Sequence, residues 1–584
     1  MQITPIKNWT YTKELEGLLF FAQRLDELLF DYTLDTYKPK TLNTPSLCVE
    51  VISVISQVKE GNIDPYNVIH ILDELRVSLT NDKIAKSLLT LDVDEYFPKP
   101  DFDKTKGILN LDLVLLRIQL LYRTISARPY LAETQASLMT AIRQNKKKEI
   151  NYGAGTYITT LINCGHSQQY LKKEITHFFR TTTITSPDCI LDLFDLFPLH
   201  IHACTAYFVV SNVIKELESS LSRFKCKVLT ELPEELDCQP FAKALKPSRN
   251  QTLVEIDDID AGDVFTARQM AEKRLALIAD LFGLFHHKET IKWCDKAVVK
   301  QCCISDPQIT TKPTNIILRG NDRRKEPAAK EFEKFVSQFT LNRITSQRSI
   351  FHGAVSLHGA SIRTDDPSNQ LLNLWIALEA ICPENLKRSK VENVINNVTP
   401  VLQLRYIAKL VTSCARDIEL YETNTLKSLV PEKEFSREQR CIRLLSLHTF
   451  KPAREKLFSQ LERFPLLRYR IWDLSQKLSS SAHILSLLDD HVRRVQWQLR
   501  RIYRTRNLIV HSGESVDHIE PLVENAHAYL DYVTSTTIEL SCSDLSLNSF
   551  PQVFEYCLLK KKKLTQTLEK QEVLTPEILD TLLY

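Results

Sequence analysis

Glycine is nearly absent from this chain, at 12 of 584 residues. Sheet-rich and doubly wound folds use glycine for tight turns and phosphate loops, so the scarcity predicts helices joined by short connections. At roughly 150 residues per domain, the length predicts three or four domains, each able to bury a core of its own. The net charge of +3 is too mild to demand a polyanionic partner. A nucleic-acid surface on such a chain must be a local concentration of charge.

The 14 cysteines are scattered, with Cys302 and Cys303 adjacent and no C-x-x-C pair. That pattern predicts reduced thiols in a cytoplasmic protein rather than a disulfide framework. Met1-Gln2-Ile3-Thr4-Pro5 lacks the basic-then-apolar pattern of a secretory signal. No apolar run approaches the ~18 residues that cross a bilayer, so no membrane partner is expected.

Patterning along the chain predicts a mainly α fold in four parts. Residues 1–150 read as a helical N-terminal region, with apolar stripes from Leu15 to Phe21 and from Leu111 to Tyr122. Lys146-Lys147-Lys148, followed by Glu149 to Gly153, reads as a linker. Residues 151–325 read as a mixed α/β regulatory or sensing domain. There Ala206 to Val210 and Val254 to Asp263 suit strands, and Thr266 to Leu284 suits a helix. A boundary is expected at Arg319 to Lys325, where turn residues and charge lack an apolar period. Residues 326–545 read as a helical bundle, with an insertion near 413–490, and 546–584 as a helical tail. Asp366 before Pro367 predicts a capped helix start, and Ser512-Gly513 a helix stop.

The informative helix is Val492 to His511. Val492, Val495, Leu499, Ile502, Arg506 and Ile509 recur at the spacing of a buried seam, and Arg506 is its one charged member. Arg493, Arg500, Arg504 and Asn507 all fall within roughly 40° of His511 at 100° per residue. Six arginines occur from Arg493 to Arg506 inclusive, with no acid between His491 and His511. A stripe of one sign repels itself and needs either acidic neighbours or a polyanion.

Arg506-Asn507-Leu508-Ile509-Val510-His511 matches the R-x4-6-H signature of the HEPN ribonucleases, with the polar residue that commonly follows the arginine. Upstream, Asn373-Leu374-Trp375-Ile376-Ala377-Leu378-Glu379-Ala380-Ile381 resembles the second helix of the Apea-like HEPN subgroup of bacterial anti-phage abortive-infection proteins, and Arg348 to His358 the helix before it. The resemblance covers about residues 326 to 545. It implies metal-independent cleavage of host RNA, transfer RNA among the targets, with no cofactor, in a composite cleft formed by a homodimer or higher homo-oligomer. A phage-encoded activator would fit the same family role. The chemistry suits the residue types. An imidazole titrates near pH ~6.5, so His511 can take or give a proton at cellular pH. A guanidinium can fork onto phosphate oxygens, and Asn507 can orient either group.

The resemblance thus implies Arg506, Asn507 and His511 as the reacting set, with Arg493, Arg500 and Arg501 binding RNA. On an ideal helix Arg506 sits roughly 140° from His511, whereas Arg504 shares its face and also satisfies an R-x6-H spacing. Family pattern favours Arg506 and helix geometry favours Arg504. Glu379 is a supporting candidate that could pair with Arg506 or another arginine of this helix; a purely structural bundle salt bridge is at least as strong a reading. His200, His202 and Cys204, with Cys164, His166 and Cys189, lack a standard zinc spacing, so no metal is expected. Two other functions fit the same residues. One is a non-catalytic HEPN module that binds RNA, a nucleotide or a partner protein; the other is the toxin of a toxin–antitoxin pair.

Overall fold

The computed structural model describes all residues except 1–8, 10–12, 100, 104–106, 109, 305, 320–324, 340–344, 386, 514–515, 517, 544, 546, 572 and 584. The boundary expected at Arg319 to Lys325 lies largely outside the described residues. The fold is mainly helical, with a five-stranded antiparallel sheet in the middle region and a two-stranded one, Phe102–Asp103 with Gly107–Ile108, in the N-terminal region.

The N-terminal region opens with α1 (Glu16–Leu29), α2 (Thr44–Lys59) and α3 (Tyr66–Asn81). Asn43 caps α2 by accepting from the Ser46 N–H, and Pro45 sits in the first turn. Leu47, Val51 and Ile55 of α2 share a core with Val68, Leu72 and Leu75 of α3. The expected linker is instead the start of a helix, α4 (Lys147–Asn163). The reason is packing: a Cβ on Gly153 would lie 2.7 Å from Leu138 Cδ2, so this glycine permits a close helix approach rather than a hinge. Helical structure therefore continues past residue 150, around a core that includes Leu138, Ile142, Tyr157, Phe178 and Phe194.

The five-stranded sheet comprises β1 (His202–Ser211), β2 (Cys226–Leu229), β3 (Gln251–Ala261), β4 (Trp293–Gln301) and β5 (Gln308–Thr311), in the order β2-β3-β1-β4-β5. Every pairing is antiparallel. Ala206, Phe208 and Val210 of β1 face α5 (Val264–Gly283), while Tyr207 and Val209 face Leu236 and Leu245. Burial on both faces explains why this strand reads as a continuous apolar run rather than an alternation.

The C-terminal bundle is built from α6 (Thr345–Arg363), α7 (Pro367–Ile381), α8 (Lys390–Leu404), α9 (Ser481–Ser512), α10 (Ile519–Ser541) and α11 (Phe550–Lys570). Asp366 caps α7 by accepting from the Ser368 and Asn369 N–H groups. One core joins Leu374, Trp375 and Leu378 to Val398, Leu499, Ile502, Leu522 and Phe554. The expected tail is thus part of the bundle: Phe550, Phe554 and Cys557 lie in its core, and Ile578 and Leu579 lie in the core of the inserted helices. The insertion also packs on the N-terminal region. Leu466 and Tyr469 enter that core, and Glu27 accepts from Arg24 and Arg470, each at 2.6 Å. Among the described residues, no helix is long and apolar enough to cross a membrane.

One buried histidine on α9 makes the fold sensitive to acid. His491 stacks on Tyr406 with ring centroids 3.7 Å apart, and its Nδ1 is buried without a hydrogen-bond partner. Burial, reinforced by the charges of Arg494 and Lys409, pushes its pKa down to about 3. The unfolded chain takes a proton here below about pH 6.5, while the folded chain resists it. The contribution is therefore fully present above the unfolded value and is lost as pH falls toward about 3. Between about pH 6 and pH 4 the native chain should lose on the order of 2 kcal/mol more than a His491→Phe variant, which keeps the stack. Urea unfolding at several pH values checks this, and parallel profiles would refute it.

Candidate active site

The 32-residue helix α9 contributes Ile484 and Leu488 to the core of the inserted helices and Val495, Leu499 and Ile502 to the core of the bundle. Ser480 caps its start by accepting from the His483 N–H. Gly513, at φ 68°, ends it by donating to the Ile509 carbonyl at 3.2 Å. The left-handed stop needs glycine and leaves His511 in the last turn. The seam read from periodicity is present: Val495, Leu499 and Ile502 are buried, and Ile509 packs at the core margin.

The basic stripe meets acidic neighbours, and these come from two other regions of the chain. Arg501 Nε donates to both Glu50 oxygens at 3.2 and 3.0 Å, and its Nη2 donates to both Glu74 oxygens at 2.8 Å. Arg504 Nη2 donates to Glu50 Oε1 at 2.7 Å. Arg500 Nη2 donates to Glu392 Oε1 at 2.7 Å. Arg501 and Arg504 are only 2% and 4% exposed. This corrects two expectations. Arg501 is sealed between α2 and α3 rather than displayed on an RNA-binding stripe, and Arg504 is committed to Glu50. Burial alone would raise the Glu50 pKa, but the two guanidiniums outweigh it and hold the carboxyl below its usual range. Arg493 alone among the three expected RNA-binding arginines is exposed, with Asp490 4.0 Å away.

Arg506 is placed differently. It is half-buried, its Nη1 donates to Asn507 Oδ1 at 3.0 Å, and among the described residues no carboxylate pairs with it. Its Nε is buried without a partner. Asn507 therefore holds the guanidinium of its neighbour, and His511 is exposed one turn further on. Among the described residues Glu379 pairs with no arginine of α9 and instead makes the alternative, a salt bridge within the bundle. One of its oxygens accepts from Trp375 Nε1 at 2.9 Å and the other from Lys390 Nζ at 3.0 Å. Trp375 is fully buried and meets Tyr503 of α9, with ring centroids 5.4 Å apart. The hydrogen bond that the Lys390 ammonium donates to Glu379 holds it above its ordinary range, while the charge of Arg506 opposes this.

Two side chains here were not legible from the sequence. Lys390 adds a cation beside Arg506. His70 of α3 lies near Arg500 and Glu392; burial, and then Arg500, pushes its imidazole below the ordinary range. Neither belongs to a local pattern, because each reaches the site from another helix. This end of α9 carries a guanidinium held by Asn507 and, five residues on, an exposed imidazole, residue types that can bind a phosphate and move a proton. The weak zinc set does not assemble. His202 groups with Cys302 and Cys303, while His166 Nε2 lies 3.3 Å from the Pro198 carbonyl oxygen and Cys204 is buried. No family model, curated protein or solved structure matches this chain.

Proposed function

We propose that this chain is a metal-independent RNA endonuclease of the HEPN type, in which His511 moves the proton and Arg506 binds the phosphate. The observation that carries the reading is the division of labour along α9. Arg500, Arg501 and Arg504 are consumed by carboxylates, whereas among the described residues Arg506 is held by Asn507 and by no carboxylate, which leaves donors for an anion. The commitment of Arg504 to Glu50 supports Arg506 as the working arginine.

In the proposed step the RNA 2′-oxygen attacks the adjacent phosphorus and its proton passes to a base. The P–O5′ bond breaks, and the departing 5′-oxygen takes a proton. His511 serves one of these transfers, and Arg506 stabilises charge on the equatorial oxygens. The products are a 2′,3′-cyclic phosphate and a 5′-hydroxyl. The resemblance to abortive-infection proteins extends the proposal to defence: two copies would pair, cut host RNA and halt translation. The N-terminal region, docked on α9 through Glu50 and Glu74, is where restraint would act.

The test is the chemistry of the ends. Purified chain is incubated with total RNA, and the new termini are mapped by sequencing with and without removal of cyclic phosphates. Cyclic-phosphate and 5′-hydroxyl ends are expected. Intact RNA, or ends bearing a 5′-phosphate, would overturn the proposal.

A further inference from the structure

Two clusters of metal-ligating side chains occur among the described residues, and neither includes His511 or Arg506: His202 with Cys302 and Cys303, and His358 with His527 and Asp531. The second is the better built. His358 lies on α6, while His527 and Asp531 lie four residues apart on α10 and so share a face. The two Nε2 atoms are 3.1 Å apart. Asp531 Oδ1 lies 3.1 Å from His358 Nε2, and its Oδ2 lies 3.5 Å from His527 Nε2. The rings are nearly parallel, at 15°, with centroids 5.1 Å apart.

We propose that His358, His527 and Asp531 form a binding site for one divalent transition-metal ion. Two Nε2–H donors cannot face each other at 3.1 Å, so at least one imidazole presents its lone pair to the other. One shared proton satisfies a single pair among these three groups, whereas a cation satisfies both lone pairs and the carboxylate together. Zinc–ligand bonds of about 2.0–2.2 Å at tetrahedral angles place ligand atoms roughly 3.3–3.6 Å apart, close to the separations seen here. Two imidazoles and one carboxylate select zinc-like ions over magnesium or calcium, which favour all-oxygen shells. The half-exposed Asp531 leaves a path from solvent and room for a fourth, non-protein ligand. Both helices pack on α7, so the ion would tie α6 to α10 across the bundle. The site is separate from the RNA chemistry proposed above, which routes no step through a metal.

The experiment uses the full chain, stripped of metal and titrated with Zn2+ against a chromophoric chelator. One equivalent should bind and raise the thermal midpoint. His527→Ala and the near-isosteric Asp531→Asn should each weaken binding by more than the ~10–100-fold typical of losing a second-shell partner, with far-ultraviolet dichroism unchanged. Cobalt loaded in place of zinc should show d–d bands without thiolate charge transfer. The proposal falls if no zinc is retained against the chelator. It also falls if the cobalt spectrum carries thiolate bands, or if Cys302→Ser abolishes binding and Asp531→Asn does not; either result would move the ion to His202, Cys302 and Cys303.

Discussion

Replacing Arg501 with leucine should lower stability by about 3–5 kcal/mol, the cost typical of removing one partner from a buried ion pair. Arg501 donates to two carboxylates at once, and its removal would leave the half-buried Glu50 and Glu74 side by side, with Arg504 bonded to Glu50 alone. Leucine fills part of the volume and cannot restore the charge. The effect should read out as a large fall in the urea midpoint. Exposed Arg493→Ala should stay within roughly 0.5 kcal/mol. The pH dependence has a definite sign. In the native chain the lowered Glu50 pKa contributes stability that is present above the unfolded value and lost as pH falls. In the variant, burial without Arg501 would favour the protonated carboxyl, so the deficit should narrow in acid. Adding Glu50→Gln and Glu74→Gln to Arg501→Leu should recover most of the loss. A deficit no larger than that of Arg493→Ala would mean the clasp contributes little.

The same cluster marks where sequence reading stops. Patterns within one helix were legible because they are local. The spacing of Val495, Leu499 and Ile502 sets a buried seam, Asp366-Pro367 starts a helix, and Gly513 stops one. The one-sign stripe was legible as an electrostatic problem, because nearby acids are absent from its own segment. Its resolution was not, since Glu50 and Glu74 lie 451 and 427 residues from Arg501 in sequence. Distance in sequence leaves no period to detect. His358 and His527, 169 residues apart, were hidden for the same reason. Gly153 misled in the other direction. A glycine after three lysines resembles a flexible join, and only the Leu138 side chain beside it shows that it is a packing position. The choice between Arg504 and Arg506 set family pattern against the angles of an isolated helix, and neither could show that Glu50 takes Arg504 while Arg506 bonds to Asn507.

His511→Ala should therefore separate function from folding more cleanly than any other change in the chain. His511 is exposed in the last turn of α9, so its loss should leave the unfolding midpoint near the native value. If it moves the proton in RNA cleavage, the rate should fall on the order of 10²–10⁴-fold. Arg506→Lys makes the companion case. Lysine keeps the charge but cannot fork onto two phosphate oxygens or donate to Asn507 in the same plane. It should lose much of the activity with little change in stability. Arg504→Gln should do the reverse, costing stability through Glu50 while any intact enzyme still cuts. Each variant is read by two assays on the same preparation, initial rate of RNA cleavage and urea midpoint. Full activity in His511→Ala would remove the imidazole from the mechanism. Activity lost in Arg504→Gln at unchanged stability would instead transfer the phosphate-binding role to that arginine, and would require Glu50 to release it when RNA binds.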